Sequence, residues 1–203
     1  MKSHLTDCGI PGIGVVPYGI HMCHFYSNRQ DLIDGLMPYF LAGLRHNERC
    51  LWVGSTPLPA VEIRREVARS PEIVAAVESE QLRILDAVEW YGEPSSFKAE
   101  EVIQGWIDEE ERALVDGYEG LRVTGNTSFV PRDCWSDFMK YEELLGERLQ
   151  GRRIVTCCSY DRHKCGPVDV FEVVQRHDAA LDRFDGHWYI FLHDTLRART
   201  TPA

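Results

Sequence analysis

The sequence predicts an α/β fold of three layers, with helices on both faces of a mostly parallel sheet. Short apolar runs alternate with longer stretches whose apolar residues recur at helical spacing, and the connections between them are short. At 203 residues there is room for one sizeable core but not for two full domains, and 44% hydrophobic residues suffice to fill it. Strands joined through helices in this way imply right-handed crossovers and parallel pairing.

The elements follow in order. A Gly/Pro-rich lead-in occupies residues 1–18, and Ile20 to Tyr26 (IHMCHFY) reads as a short buried strand. From Asp31 to Arg45, Leu32, Ile33, Leu36, Met37, Phe40, Leu41 and Leu44 recur at helical spacing. Cys50 to Gly54 is the second strand, and Thr56-Pro57 and Ser70-Pro71 each read as an N-cap with proline in the first helical turn. Leu82 to Ala87 is the third strand, Ala99 to Asp116 a helix, and Leu121 to Thr124 the fourth strand. Asp133 to Leu149 is amphipathic, Arg153 to Tyr160 is the fifth strand, Val168 to Arg176 a helix, and His187 to Asp194 a last strand. One domain is therefore expected over residues 19–194, with a frayed tail at 195–203.

Charge narrows the function classes. A formal net charge of -10 and the lack of a Lys/Arg stripe argue against direct binding of nucleic acid. No apolar run approaches the ~20 residues that span a bilayer, and no signal peptide is evident, so a cytoplasmic chain is expected. Seven cysteines, an odd number, then read as reduced thiols, metal ligands or small core residues.

The first strand, its loop and the long helix follow the order in which RecA-type ATPases hold nucleotide. Their loop needs glycines for backbone N–H groups to reach phosphate, a lysine, and a hydroxyl for magnesium. Here Tyr26-Ser27-Asn28-Arg29-Gln30-Asp31 has neither glycine nor lysine, and Asp31 adds negative charge. ATP hydrolysis is not expected. Ser27 or Asn28 reads more simply as a helix cap and Arg29 as solvated.

GIHMCHFY, LAGLRHNERCLWVG, the mid-chain Trp90-Tyr91, YEGLRVTGNTSF, KYEELL and CCSYDRHKC occur in this order from Gly19 to His177. Together they resemble the MEDS domain, the methanogen/methylotroph DcmR sensory domain. The resemblance implies a RecA- or KaiC-like fold without a working phosphate loop and a role in sensing simple hydrocarbon derivatives in prokaryotic signalling. It implies that His21 and Cys23 form the contact element and that Tyr160, Asp161 and His177 belong with it. The family's Gly-Glu after the fourth strand is Gly125-Asn126 here, which removes a carboxylate. No fused kinase or DNA-binding module is visible, so output is expected through a separate signalling or regulatory protein.

Two histidines in four residues are out of character for a buried strand. Alternation sends His21 and Cys23 to one face and Met22 and His24 to the other. A second cluster is Cys157, Cys158, His163 and Cys165; in RecA-like folds its strand lies beside the first. Thiolate and imidazole together favour zinc or another soft-to-borderline transition metal, with His21, Cys23, Cys158 and His177 as the ligand set. Neither CxxC nor HExxH spacing is present, so satisfied core histidines and space-filling cysteines are the competing reading. His177 is also placed to favour a helix C-terminus.

The ligand-binding set expected at the carboxyl ends of the strands is Tyr26, Arg122, Asn126, Tyr160 and Asp161, joined by His21, Cys23 and Cys158. The competing readings are a pairing of Arg122 with a carboxylate such as Glu142, a turn cap for Asp161, and core packing for Trp90 and Tyr91. No catalytic set stands out, so the expectations are a small organic ligand, no enzyme activity and a possible homo-oligomer. A Cys/His metalloprotein and a non-hydrolysing ATPase-like scaffold are the alternatives.

Overall fold

The structure, a computed structural model, describes residues 4–193. The elements run β1 (Leu5–Asp7), β2 (Val15–Pro17), β3 (His21–Tyr26), α1 (Arg29–Arg45), β4 (Arg49–Gly54), α2 (Ala60–Val67), α3 (Pro71–Glu78) and β5 (Leu82–Asp86). They continue with α4 (Ala87–Tyr91), α5 (Ala99–Val115), β6 (Leu121–Asn126), α6 (Trp135–Arg148), β7 (Ile154–Asp161), α7 (Pro167–Gln175), β8 (Ala179–Phe184) and β9 (His187–Leu192). Seven strands form one sheet in the order β5-β4-β6-β7-β3-β8-β9. All neighbours pair in parallel except the edge strand β9, which is antiparallel to β8.

Alternation along each strand divides the core in two. Met22, Tyr26, Trp52, Ile84, Val155 and Cys157 pack on one face against α1, α2 and α3. Cys23, Phe25, Val53, Val123, Cys158 and Tyr160 pack on the other against α4 to α7. β3 lies inside the sheet, next to the central strand β7, and is buried along its whole length, with β7 on one side and β8 on the other. The predicted three-layer arrangement is therefore present, and the first and fifth predicted strands are neighbours.

Three expectations needed correction. The Gly/Pro-rich stretch is not a detached lead-in: β1 and β2 form a hairpin, and Cys8, Ile10 and Val16 are buried in the core. Thr56-Pro57 is a cis peptide before a bend rather than an N-cap, and α2 starts at Ala60. β8 is a strand that periodicity did not reveal, because only its first half is buried. The expected tail at 195–203 lies outside the described residues, as does Asp194.

Candidate functional site

The expected ligand residues separate into two places and one structural network. Arg122 belongs to the network. As the second residue of β6 it lies toward the amino end of the strand, away from Asn126 at the other end. Its Nε donates to Glu48 Oε2 at 2.5 Å, Nη1 to the carbonyls of Cys8 and Tyr39 at 3.0 Å each, and Nη2 to Asp7 O at 2.7 Å and Thr6 Oγ1 at 3.3 Å. The five N–H donors of a guanidinium are thereby engaged, and the group is fully buried over the Tyr39 ring. Gly43 makes this possible, since a Cβ there would stand 2.5 Å from Arg122 Nε. Arg122 has no donor left for a ligand, and its partner is Glu48, not Glu142.

The first place is the carboxyl edge of the sheet. The Tyr26 hydroxyl meets Asn126 Oδ1 at 3.2 Å and lies in close contact with Ser128 Oγ, while Asn126 Oδ1 also accepts from Ser128 N at 3.0 Å. Asp161 caps its own turn by accepting from His163 N at 2.9 Å, which is the simpler of its two readings. It also borders a cavity of about 360 Å³ together with Thr127, Ser128, Val130, Trp135 and Cys165. Trp90 and Tyr91 are packing residues: Trp90 lies 4.1 Å from the Trp106 ring and Tyr91 stacks on Phe129 at 4.8 Å.

The phosphate-loop position is occupied by the chain itself. Asn28 accepts from the N–H groups of Gln30 and Asp31 as the N-cap of α1, and Asp31 accepts from Ser27 N at 3.0 Å. Arg29, 36% exposed, keeps contact with solvent but is also paired with Glu66 at 2.7 Å.

The second place is a polar cluster in the interior, where four elements meet. His21 starts β3 and is held there by its backbone, which donates to Asp178 Oδ2 at 3.0 Å and accepts from Asp178 N at 2.7 Å. The same link brings His177 against it, with ring centroids 4.0 Å apart. Cys158 comes from the middle of β7, two pairs along the register from the residue opposite His21. Glu142 comes from the buried face of α6, in line with Phe138 and Leu145.

Every member of this cluster is buried. His21 Nε2 lies 3.0 Å from Glu142 Oε2, His177 Nε2 lies 3.6 Å from the same oxygen, and Cys158 Sγ lies 3.5 Å from His21 Nε2 and 3.7 Å from Glu142 Oε2. Tyr160 donates to Glu142 Oε1 at 2.7 Å. Burial alone would raise the Glu142 carboxyl, but the hydrogen bond from His21, joined by that from Tyr160, holds it below the usual carboxylate range. Burial and then the Glu142 charge push the Cys158 thiol and the Tyr160 phenol well up, so each keeps its proton to donate. Burial, followed by nearby His21, brings His177 down to about 3, so its ring is neutral at pH 7.

Of the metal set expected from sequence, His21, Cys158 and His177 come together. Cys23 does not: its Sγ points to Ala179 O at 3.6 Å, and Glu142 fills the fourth position. Cys157 faces the opposite side of the sheet, and His163 is exposed. Glu142 had a signal in the sequence, a carboxylate set within the apolar stripe of its helix.

The other buried imidazole behaves differently. His24 faces α1, beside Trp188 at 5.2 Å, and neither of its ring nitrogens has a partner among the described residues.

Comparison with known proteins bears on the whole chain. The family model of MEDS, the methanogen/methylotroph DcmR sensory domain, matches residues 20–178. Among solved structures, a KaiC-like protein from the hyperthermophilic archaeon Pyrococcus horikoshii OT3 superposes with a TM-score of 0.62 at 13% identity, over 93% of this chain and 87% of that one. That likeness establishes a RecA-type fold. No curated protein is matched.

Proposed function

This chain belongs to the MEDS family of sensory domains, and we propose that it senses a small organic molecule at the carboxyl edge of its sheet and reports to a separate protein. The observation that carries this reading is the cavity of about 360 Å³ beyond β6 and β7. Open parallel sheets bind ligands at that edge, and the volume falls in the range of small-molecule sites. Val130, Trp135 and Cys165 give it apolar walls, while Ser128, Thr127 and Asp161 offer polar groups for one functional group of the guest. Arg132 and Lys164 also line it, Arg132 paired with Asp169 and Lys164 donating to Ser128 O, so the lining suits a small guest that carries one polar or anionic end.

The closed start of α1 supports the same view. Asn28 accepts from the N–H groups of Gln30 and Asp31, Asp31 from that of Ser27 just before the helix, and Arg29 is neutralised by Glu62 and Glu66. A phosphate would have to displace these bonds, so we expect no ATP hydrolysis and no catalysis of that type. A route for the signal starts at Trp135, whose ring meets Tyr160 edge-on at 6.2 Å, and Tyr160 is bonded to Glu142 in the interior. Exposed Phe184 and Phe191 on the edge hairpin are the surface we assign to a protein partner or a second copy. No helix among the described residues is long and apolar enough to cross a membrane.

The test is thermal unfolding with a panel of short-chain alcohols, aldehydes and haloalkanes. At a hundredfold excess over Kd a ligand stabilises by ~2.7 kcal/mol, roughly 5–10 °C for a chain of this size. Cys165→Trp, which fills the cavity, should remove the shift while leaving the far-ultraviolet circular dichroism intact. If active compounds shift the variant as much as the wild type, the cavity is not the site.

A further inference from the structure

Four donor atoms, one each from β3, α6, β7 and the α7–β8 link (His21, Glu142, Cys158 and His177), converge in the interior within 4.8 Å of one another. The hydrogen-bonding state of His177 is the first clue to their use. Its Nδ1 lies 2.7 Å from Val173 O, and a carbonyl can only accept, so the ring proton sits on Nδ1. Nε2 is then a bare lone pair, buried, without a donor among the described residues, and 3.6 Å from a carboxylate oxygen that is also an acceptor. Two acceptors facing each other away from water are unfavourable, and a cation between them reverses the sign.

We propose that His21, Glu142, Cys158 and His177 bind one divalent transition-metal ion of the zinc class in a four-coordinate shell. Ligand bonds of ~2.0–2.3 Å in a tetrahedron place neighbouring donor atoms ~3.3–3.8 Å apart. Four of the six donor–donor distances, 3.0, 3.5, 3.6 and 3.7 Å, lie close to that range, and all six are within 4.8 Å, so a small side-chain adjustment closes the shell. The donor set of two imidazoles, a thiolate and a carboxylate excludes the oxygen-seeking magnesium and calcium. Charge agrees: the carboxylate and thiolate supply two negative charges, the neutral imidazoles none, so a divalent ion leaves the buried site neutral.

The surroundings fit a metal centre as well. Metal-bound histidines commonly donate their second ring N–H to a carbonyl, as His177 does to Val173, and Tyr160 occupies Glu142 Oε1 while Oε2 faces the other three groups. A surface cavity of about 430 Å³ lies next to the buried cluster at the amino edge of β3, bordered by His177, Gly146, Glu143, Glu147, Asp178 and Arg176. Its three carboxylates outnumber the one arginine and draw cations inward. With all four ligands from protein the shell is closed, so the ion acts as a structural tie joining β3, β7, α6 and the α7–β8 link. This inference stands apart from the organic-ligand reading, whose cavity lies at the opposite edge of the sheet.

The experiment uses the full chain, stripped with chelator under reducing conditions and titrated with Co²⁺, then with Zn²⁺. One equivalent of Co²⁺ should bind, with the intense visible bands of tetrahedral cobalt and a thiolate-to-metal band in the near ultraviolet, and Zn²⁺ should displace it. Uptake should also release acid, because the Cys158 thiol must lose its proton to ligate. Cys158→Ser should lose the thiolate band, Glu142→Gln and His177→Ala should weaken uptake by roughly 100-fold or more, beyond the effect of losing an outer contact, and Cys50→Ser should retain it. Failure of the wild type to take up either metal at micromolar concentration overturns the proposal, whatever the variants do. So does a thiolate band that survives in Cys158→Ser, or one lost in Cys23→Ser and kept in Glu142→Gln.

Discussion

Lowering the pH from 7 to 5 should weaken the fold through His24 by an amount that can be isolated. Burial brings this ring down to about 4, with Asp31 of α1 opposing and Arg162 beyond β7 reinforcing the shift. At pH 7 His24 is neutral in both folded and unfolded chains and contributes little. As pH falls through ~6.5 the unfolded chain takes up a proton that the folded chain refuses until about 4, so stability is lost across that window. At pH 5 the loss is 1.5 units at ~1.36 kcal/mol each, about 2 kcal/mol. With a urea slope of about 2 kcal/mol/M the midpoint moves by about 1 M. The assay is urea unfolding followed by tryptophan fluorescence at both pH values, on wild type and His24→Leu. The variant removes this term and two unpartnered buried nitrogens, so its midpoint should fall about 1 M less than that of the wild type. Equal falls in the two proteins would refute the reasoning and mean that His24 is hydrated or paired in solution.

Other predictions follow from single contacts. Arg122→Met, which strands Glu48 in the core, should cost ~3–5 kcal/mol in chemical denaturation yet leave cobalt uptake unchanged. Tyr160→Phe removes one donor to Glu142 and should weaken metal uptake by roughly 10–100-fold in a competition titration, with the thiolate band retained. Asn28→Ala opens two N–H groups at the start of α1 and should lower stability by ~1 kcal/mol in thermal or urea unfolding.

The two histidines of β3 show why the interior needed coordinates. Alternation correctly separates His21 from His24, and both are buried. One meets a carboxylate and a thiol while the other meets Trp188 and Gly35, and nothing in their shared strand distinguishes those outcomes. Arg122 is a similar case. Its place in a motif after a buried strand start reads equally well as a ligand group or as an ion pair. Only the return of the β1–β2 hairpin, with its carbonyls at Asp7 and Cys8, reveals a donor set already in use.

The neighbourhood of β3 and β7, and the grouping of His177 with His21 and Cys158, followed from the family resemblance, whereas order and alternation along the chain were sufficient for the layers and for the face that each strand residue takes. Layers and faces depend on periodicities of 2 and 3.6 and on the sign of crossovers, which are local properties that a linear text carries. The exchange of Cys23 for Glu142, the engagement of Arg122 and the separation of an organic cavity from a polar centre at opposite strand ends were decided in three dimensions. Each depends on which helix face lands over which strand residue, to within an ångström, and that distance is set by the packing of the whole core.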